Sequence, residues 1–214
     1  LKFPDGIDYK AHPAEMGVSM DALATPYKEL KRGRVKAGET VAVFGAGGGV
    51  GIHQLMMARW ANTRVIAVDV AEEKKQACLD AGADEFINPE KVNTIEAILD
   101  LTDGEGADVA IDYVSATATL EAAAGALRRH GRMITLGGAG AKFQVDSMEM
   151  LRKEQDLLGS RYTTRADIIA TYELIAKREV WPIVTDIRPM EEADAIHERV
   201  EKGEVIGRAA ITMN

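Results

Sequence analysis

Between an apolar run and a helical pattern, residues 41–54 read VAVFGAGGGVGIHQ, with five glycines in the seven positions 45–51. Gly45, Gly47, Gly48, Gly49 and Gly51, with Val50 among them, leave the backbone bare where something must approach it closely. A phosphate fits that requirement. A helix starting here offers free N–H groups and the positive end of its dipole, and glycines let an anion reach them. Asp69 stands at the end of the next apolar run, RVIAVD, at the separation a ribose-binding acid needs. A carboxylate there accepts hydrogen bonds from both ribose hydroxyls and repels a 2′-phosphate, which selects NAD over NADP. Glycines alone could serve a tight strand-to-helix turn; the preceding strand, the following helix and the acid together ask for more. The spacing is Gly45-x-x-Gly48-x-x-Gly51, one residue longer than GxGxxG. Gly48 is expected to approach the pyrophosphate, and Gly51 to let the helix pack close to the strand.

The surrounding pattern supplies the elements that would hold this loop. Strands are predicted at 40–45, 64–70, 84–88, 107–114 and 132–138, and helices at 51–61, 71–82, 95–104 and 119–131. Short Val/Ile-rich runs alternating with helical periodicity mean βαβ units, hence an α/β chain with a doubly wound parallel sheet, the Rossmann fold. GAGAKFQVDSMEM (138–150) suggests an extra edge strand. Three regions follow: residues 1–36 as a junction, with a helix in PYKELKRGRV; 37–180 as the dinucleotide-binding domain; and 181–214 as a return segment of helix and closing strand.

Composition removes other classes. Against 26 Lys and Arg stand 34 Asp and Glu, a net charge of −8 with no basic stripe, so nucleic acid is not expected as a partner. No apolar stretch is long enough to span a membrane. The single cysteine, Cys78, excludes a disulfide framework and an all-cysteine metal site, and is expected to be a buried filler. No signal peptide is visible, and a cytoplasmic location is expected. The chain opens at Leu1 rather than methionine, as a processed product or part of a longer protein would. His12, His53, His130 and His197 show no metal-ligand spacing and are expected to pack or cap.

GETVAVFGAGGGVGIHQLMMAR (38–59), VIAVDVAEEKKQACLDAGADEFIN (65–88) and EKGEVIGRAAI (201–211) resemble the coenzyme domain of the medium-chain dehydrogenase/reductase superfamily, nearest its zinc-type alcohol dehydrogenase branch. The likeness runs from about Pro4 to Met213. It implies NAD and a catalytic zinc as cofactors, a small alcohol or carbonyl compound as substrate, and a homodimer or homotetramer. In VSMDALATPYKEL, Asp21 matches the third zinc ligand, placed just before a helix, and Thr25 matches a residue set against the nicotinamide ring. Val70 and Lys74 match positions beside the adenine ribose, and Arg208 an arginine that reaches the pyrophosphate. Tyr113, Val114, Leu136, Gly137, Ser160 and Tyr162 match strand ends lining the nicotinamide half, with backbone groups of Leu136, Ser160 and Tyr162 holding the carboxamide. Ser115 replaces a glycine common in the family, so its hydroxyl is expected to crowd or contact the cofactor.

The resemblance also implies what is missing. The other zinc ligands and most of the substrate pocket belong to a GroES-like N-terminal domain that nothing here matches. The chain therefore resembles the C-terminal half of a dehydrogenase, without a complete active site. Two alternatives stand beside this reading: a zinc-free NAD(P)H quinone or enone reductase relative, to which the long glycine loop is similar, and a stand-alone dinucleotide-binding module without catalysis.

Overall fold

The structure, a computed structural model, describes residues 1–213. Two helices, α1 (Pro13–Ala22) and α2 (Ala24–Arg32), precede the first strand. The central sheet then forms from β1 (Thr40–Phe44), β2 (Arg64–Val68), β3 (Glu85–Ile87), β4 (Ala107–Asp112), β5 (Leu127–Thr135) and β6 (Asp156–Gly159). All five pairings are parallel, in the order β3-β2-β1-β4-β5-β6. Helices α3 (Gly51–Trp60), α4 (Lys75–Asp80), α5 (Thr94–Leu101), α6 (Thr117–Gly125) and α7 (Ser147–Lys153) carry the crossovers, and α8 (Arg165–Ala176) follows β6. The strand order reverses between β1 and β4, and the crevice outside the carboxyl ends of these strands is where such sheets bind ligands.

The alternation of side chains along β1 explains why both faces are covered. Val41 and Val43 join Ile52, Leu55, Val65, Cys78 and Ile111 in one buried cluster. Ala42 and Phe44 point the other way, among Ile66, Ile98, Leu120, Leu127 and Met133. Residues 1–36 are packed onto the central unit: Met16, Leu23 and Leu30 form a third cluster with Met57 of α3 and Tyr172 and Ile175 of α8. The return segment is itself a βαβ unit, with β7 (Val184–Pro189) and β8 (Arg208–Thr212) paired in parallel as a separate small sheet and α9 (Ala193–Glu201) between them. No helix among the described residues is long and apolar enough to cross a membrane.

Several boundaries differ from the sequence expectations. The helix expected over 119–131 ends at Gly125, and Leu127 already belongs to β5, paired with Ala107 of β4. The register then shifts, so that Val109 faces Arg132, with His130 at φ +59° in the intervening stretch. Leu127 is buried in either conformation, so periodicity alone does not separate them; pairing with β4 does. The expected edge strand in 138–150 is absent: α7 starts at Ser147, capped by the Asp146 carboxylate, and the edge strand is β6. The helix expected over 71–82 begins as a 3₁₀ turn at Glu72–Lys74 and becomes α4 only at Lys75. Helix α1 was not foreseen, because its apolar residues follow no single face.

Helix α8 is anchored by a polar device. Asp167 and Thr164 form a reciprocal cap at its N-terminus, and Lys31 of α2 donates to the same carboxylate at 2.6 Å. Burial opposes ionisation of Asp167, but the hydrogen bonds from Lys31 and Thr164 outweigh it and hold the carboxyl below its usual range. Asp167→Ala is expected to cost about 1–2 kcal/mol, the usual value of a helix cap. Urea unfolding would show it as a lower midpoint with unchanged slope.

Candidate functional site

A cleft of about 1110 Å³ opens at the carboxyl ends of β1, β4 and β5, where the strand order reverses. Its wall contains Asp21, Thr25, Gly45, Gly48, Gly49, Val50, Gly51, Asp69, Lys74, Tyr113, Val114, Leu136, Gly137, Ser160 and Tyr162, all singled out from the sequence. The sequence pattern missed Thr135, Gly138, Arg161, Val200 and Gly203, which also line it. Val200 and Gly203 arrive from α9 and its end, far along the chain, and no local spacing announces them. Three expected residues lie outside the wall. Val70 is 58% exposed beyond Asp69. Gly47 faces Lys74 and Asp69 without lining the cleft, and Arg208 lines an adjoining pocket across Gly48 and Gly49.

The structure explains why the loop needs its extra glycines. A Cβ on Gly51 would overlap the Gly45 carbonyl and lie 2.9 Å from Ala46 Cα, so α3 can approach β1 this closely only without a side chain. Gly45 takes φ +73°, a conformation that favours glycine. Gly47 and Gly49 leave room for neighbouring side chains. A Cβ on Gly47 would lie 2.9 Å from Lys74 Cβ and 3.2 Å from the Asp69 carboxylate; one on Gly49 would lie 2.8 Å from Arg208 Cδ. The Gly47 N–H donates to Asp69 Oδ2 at 2.8 Å, and the Ala71 N–H to Oδ1 at 3.0 Å, which fixes the carboxylate beside the loop. The N–H groups of Gly49, Val50 and Gly51 find no backbone acceptor among the described residues. Lys74 is buried along its stem, and its ammonium forms no ion pair among them. This is a cradle of free donors beside the Lys74 cation, with an acid at its edge.

Polar groups underneath shape the far half of the cleft. Asp112 ends β4 and accepts from the Val114 and Ser115 N–H groups at 3.0 and 2.9 Å. Burial pushes its carboxyl upward, against those bonds. Ser115, at φ +59°, shares a hydrogen bond with Thr135 at 2.9 Å and is not part of the wall. Gly137 is pressed against the Val114–Ser115 backbone, leaving no room for a side chain. Tyr113 donates its hydroxyl to Gln54 at 2.7 Å, and Ser160 donates to the buried Glu29 at 2.8 Å. Burial raises the Glu29 carboxyl. Cys78 is the expected inert filler, its thiol pushed up to about 12 by burial.

The family profile described as zinc-binding dehydrogenase matches residues 49–177, which takes in the end of the glycine loop from Gly49, Asp69 and the strands β2 to β6. The chain belongs to the zinc-binding dehydrogenase family. It is similar to an alcohol dehydrogenase of Geobacillus stearothermophilus, 32% identical over 212 residues, covering 99% of this chain and 60% of that protein. An NAD-dependent alcohol dehydrogenase of Sulfurisphaera tokodaii is 29% identical, over 87% of this chain and 54% of its own length. The crystal structure of the alcohol dehydrogenase of the archaeon Aeropyrum pernix superposes with a TM-score of 0.88 at 30% identity, over 98% of this chain and 60% of that one. The chain thus spans between 54% and 60% of the length of the curated relatives it matches.

The residues present do not make a zinc site of their own. Asp21 precedes α2 as expected but lies in the last turn of α1, and both its carboxylate oxygens are engaged. Thr25 donates to Oδ1 at 3.1 Å, and Arg208 pairs with Oδ2. Among the described residues no group of three His, Cys, Asp or Glu side chains could hold a metal ion. Asp21 alone is one ligand at most.

Proposed function

We propose that this chain is the NAD-binding part of a zinc-dependent alcohol dehydrogenase, which transfers hydride between an alcohol and its ketone or aldehyde. The observation that carries the reading is the Asp69 carboxylate, held by the Gly47 and Ala71 N–H groups at the edge of a cradle of unbonded donors. When bound, NAD supplies the hydride acceptor; the chain's own residues bind and orient it. The N–H groups of Gly49, Val50 and Gly51 would take the pyrophosphate, with Gly48 leaving room for it and Lys74 and Arg208 supplying charge. Asp69 would accept the ribose hydroxyls. Thr25, Tyr113, Val114, Leu136, Gly137, Ser160 and Tyr162 would form the nicotinamide half, with Thr25 against the ring. Gly45 and Gly47 would keep the loop's shape, and Val70 would flank the ribose from outside.

Substrate contacts and the remaining zinc ligands would come from residues beyond this chain, with Asp21 released from Arg208 as the one ligand supplied here. The whole protein would be a cytoplasmic homodimer or homotetramer, with β6, one of the two edge strands, available for pairing. One observation favours the alternative of a zinc-free NAD(P)H reductase: Arg208 and Thr25 already engage both carboxylate oxygens of Asp21.

Fluorescence titration with NADH and with NADPH tests the reading. NADH is expected to bind tighter, and Asp69→Asn to shrink the NADH-to-NADPH preference by about tenfold, which corresponds to 1.4 kcal/mol. A wild-type preference for NADPH would move the chain to the reductase reading.

A further inference from the structure

His53, in the first turn of α3, is wholly buried behind the glycine loop. Its two ring nitrogens reach two different segments. One, Nδ1, lies 2.8 Å from the Gly49 carbonyl; the other, Nε2, lies 2.8 Å from the Ile183 N–H. A backbone N–H only donates, so Nε2 accepts and the proton sits on Nδ1, which donates to Gly49. Ile183 is itself a junction: its carbonyl accepts from the Arg208 N–H at 3.1 Å. Gly207, at φ +68°, presses so closely on that carbonyl that an added Cβ would lie 2.9 Å away.

The planarity of the peptide bond gives these contacts a consequence at the loop. The Gly49 carbonyl and the Val50 N–H belong to one trans peptide and point in opposite directions. Because His53 holds the carbonyl inward, the Val50 N–H is turned the other way, and Val50 and Gly49 both line the cleft. The same ring, through Ile183, sets the backbone from which Arg208 reaches across Gly49.

We infer that His53 is a positioning residue for the dinucleotide's diphosphate, orienting the Val50 N–H and the Arg208 side chain together without touching the ligand. This rests on the reading of the cleft as a dinucleotide site. An apolar side chain would fill the same space but would orphan the Gly49 carbonyl and the Ile183 N–H, leaving the loop free to turn.

The test is competition binding by the full chain, with NADH as the reporter and ADP and adenosine as competitors, for wild type, His53→Leu and His53→Gln. His53→Leu is expected to lose about tenfold in affinity for NADH and ADP, and less than about twofold for adenosine, which lacks phosphates. His53→Gln keeps one donor and one acceptor, and is expected to recover part of the ADP loss. The ADP-to-adenosine ratio does not depend on the fraction of protein folded, so it separates positioning from simple destabilisation, and His53→Gln supplies it if the leucine variant does not fold. Equal losses for ADP and adenosine, or no loss, would overturn the inference and leave the dinucleotide reading intact. Absence of NADH binding by the wild type would overturn both.

Discussion

Gly51→Ala is expected to lower stability by about 3 kcal/mol, the upper range of overpacking changes, and to bring the melting temperature down by about 10 °C. The added methyl would overlap the Gly45 carbonyl and crowd Ala46 Cα at 2.9 Å. Both obstacles are backbone, so no rotamer change relieves them. Either α3 moves off β1, opening the cluster that includes Val43, Ile52 and Leu55, or the loop rotates and its free N–H groups leave the cleft. Binding of NADH should therefore fall along with stability. Gly17→Ala is the contrasting case: Gly17 lies inside α1 with nothing within 4 Å of an added Cβ. That variant is expected to gain about 0.5–1 kcal/mol through helix propensity. Urea unfolding of both variants checks the pair, and equal effects would show that the helix–strand approach at Gly51 is not tight.

The second large effect is on pH dependence. Burial depresses the His53 pKa to about 4, against 6.5 for an unperturbed imidazole. In the unfolded chain the ring protonates below about pH 6.5, while in the folded chain it stays neutral until about pH 4. Over that window the unfolded state binds more protons, so the stability from neutral His53 is complete above pH 6.5 and is lost as pH falls through about 4. The difference of pKa corresponds to about 3 kcal/mol. Glu29 and Asp112 act in the opposite sense, because burial raises their carboxyls and folding then favours their protonated forms. The informative quantity is therefore the stability of wild type minus that of His53→Gln, which lacks the titration. It is expected to shrink by about 2–3 kcal/mol between pH 7.5 and 4.5. Parallel pH profiles would mean that His53 titrates in the fold as it does in the unfolded chain, as a solvated ring would.

How far the site could be read in advance depended on the range of the interactions. Gly45 to Gly51 and Asp69 were legible because a strand, a turn, a helix and the next strand follow each other directly, and their geometry dictates residue type at each step. The purpose of Gly47 and Gly49 was not legible. Their spare room is taken by Lys74, from the following crossover, and by Arg208, from the far end of the chain. The Ser160–Glu29 bond spans 131 residues and the His53–Ile183 bond 130, so neither leaves a local pattern. His53 read as a packing or capping residue, and it does pack, but its bond to Ile183 became visible only with the return segment in place. The helix that stops at Gly125 shows the same limit in secondary structure, since Leu127 follows the buried face of either a helix or a strand.

By itself, the amino-acid sequence determined the alternation of strands and helices, the parallel sheet, the place of the glycine loop and the acid at its edge, because each follows from periodicity or from the steric needs of adjacent residues. Tertiary structure alone decided which side chains fill the space the glycines leave, where the return segment lies, and that Asp21 meets Arg208 and Thr25. Those contacts depend on how βαβ units close around a sheet, and only that closure brings the two ends of the chain to the same cleft.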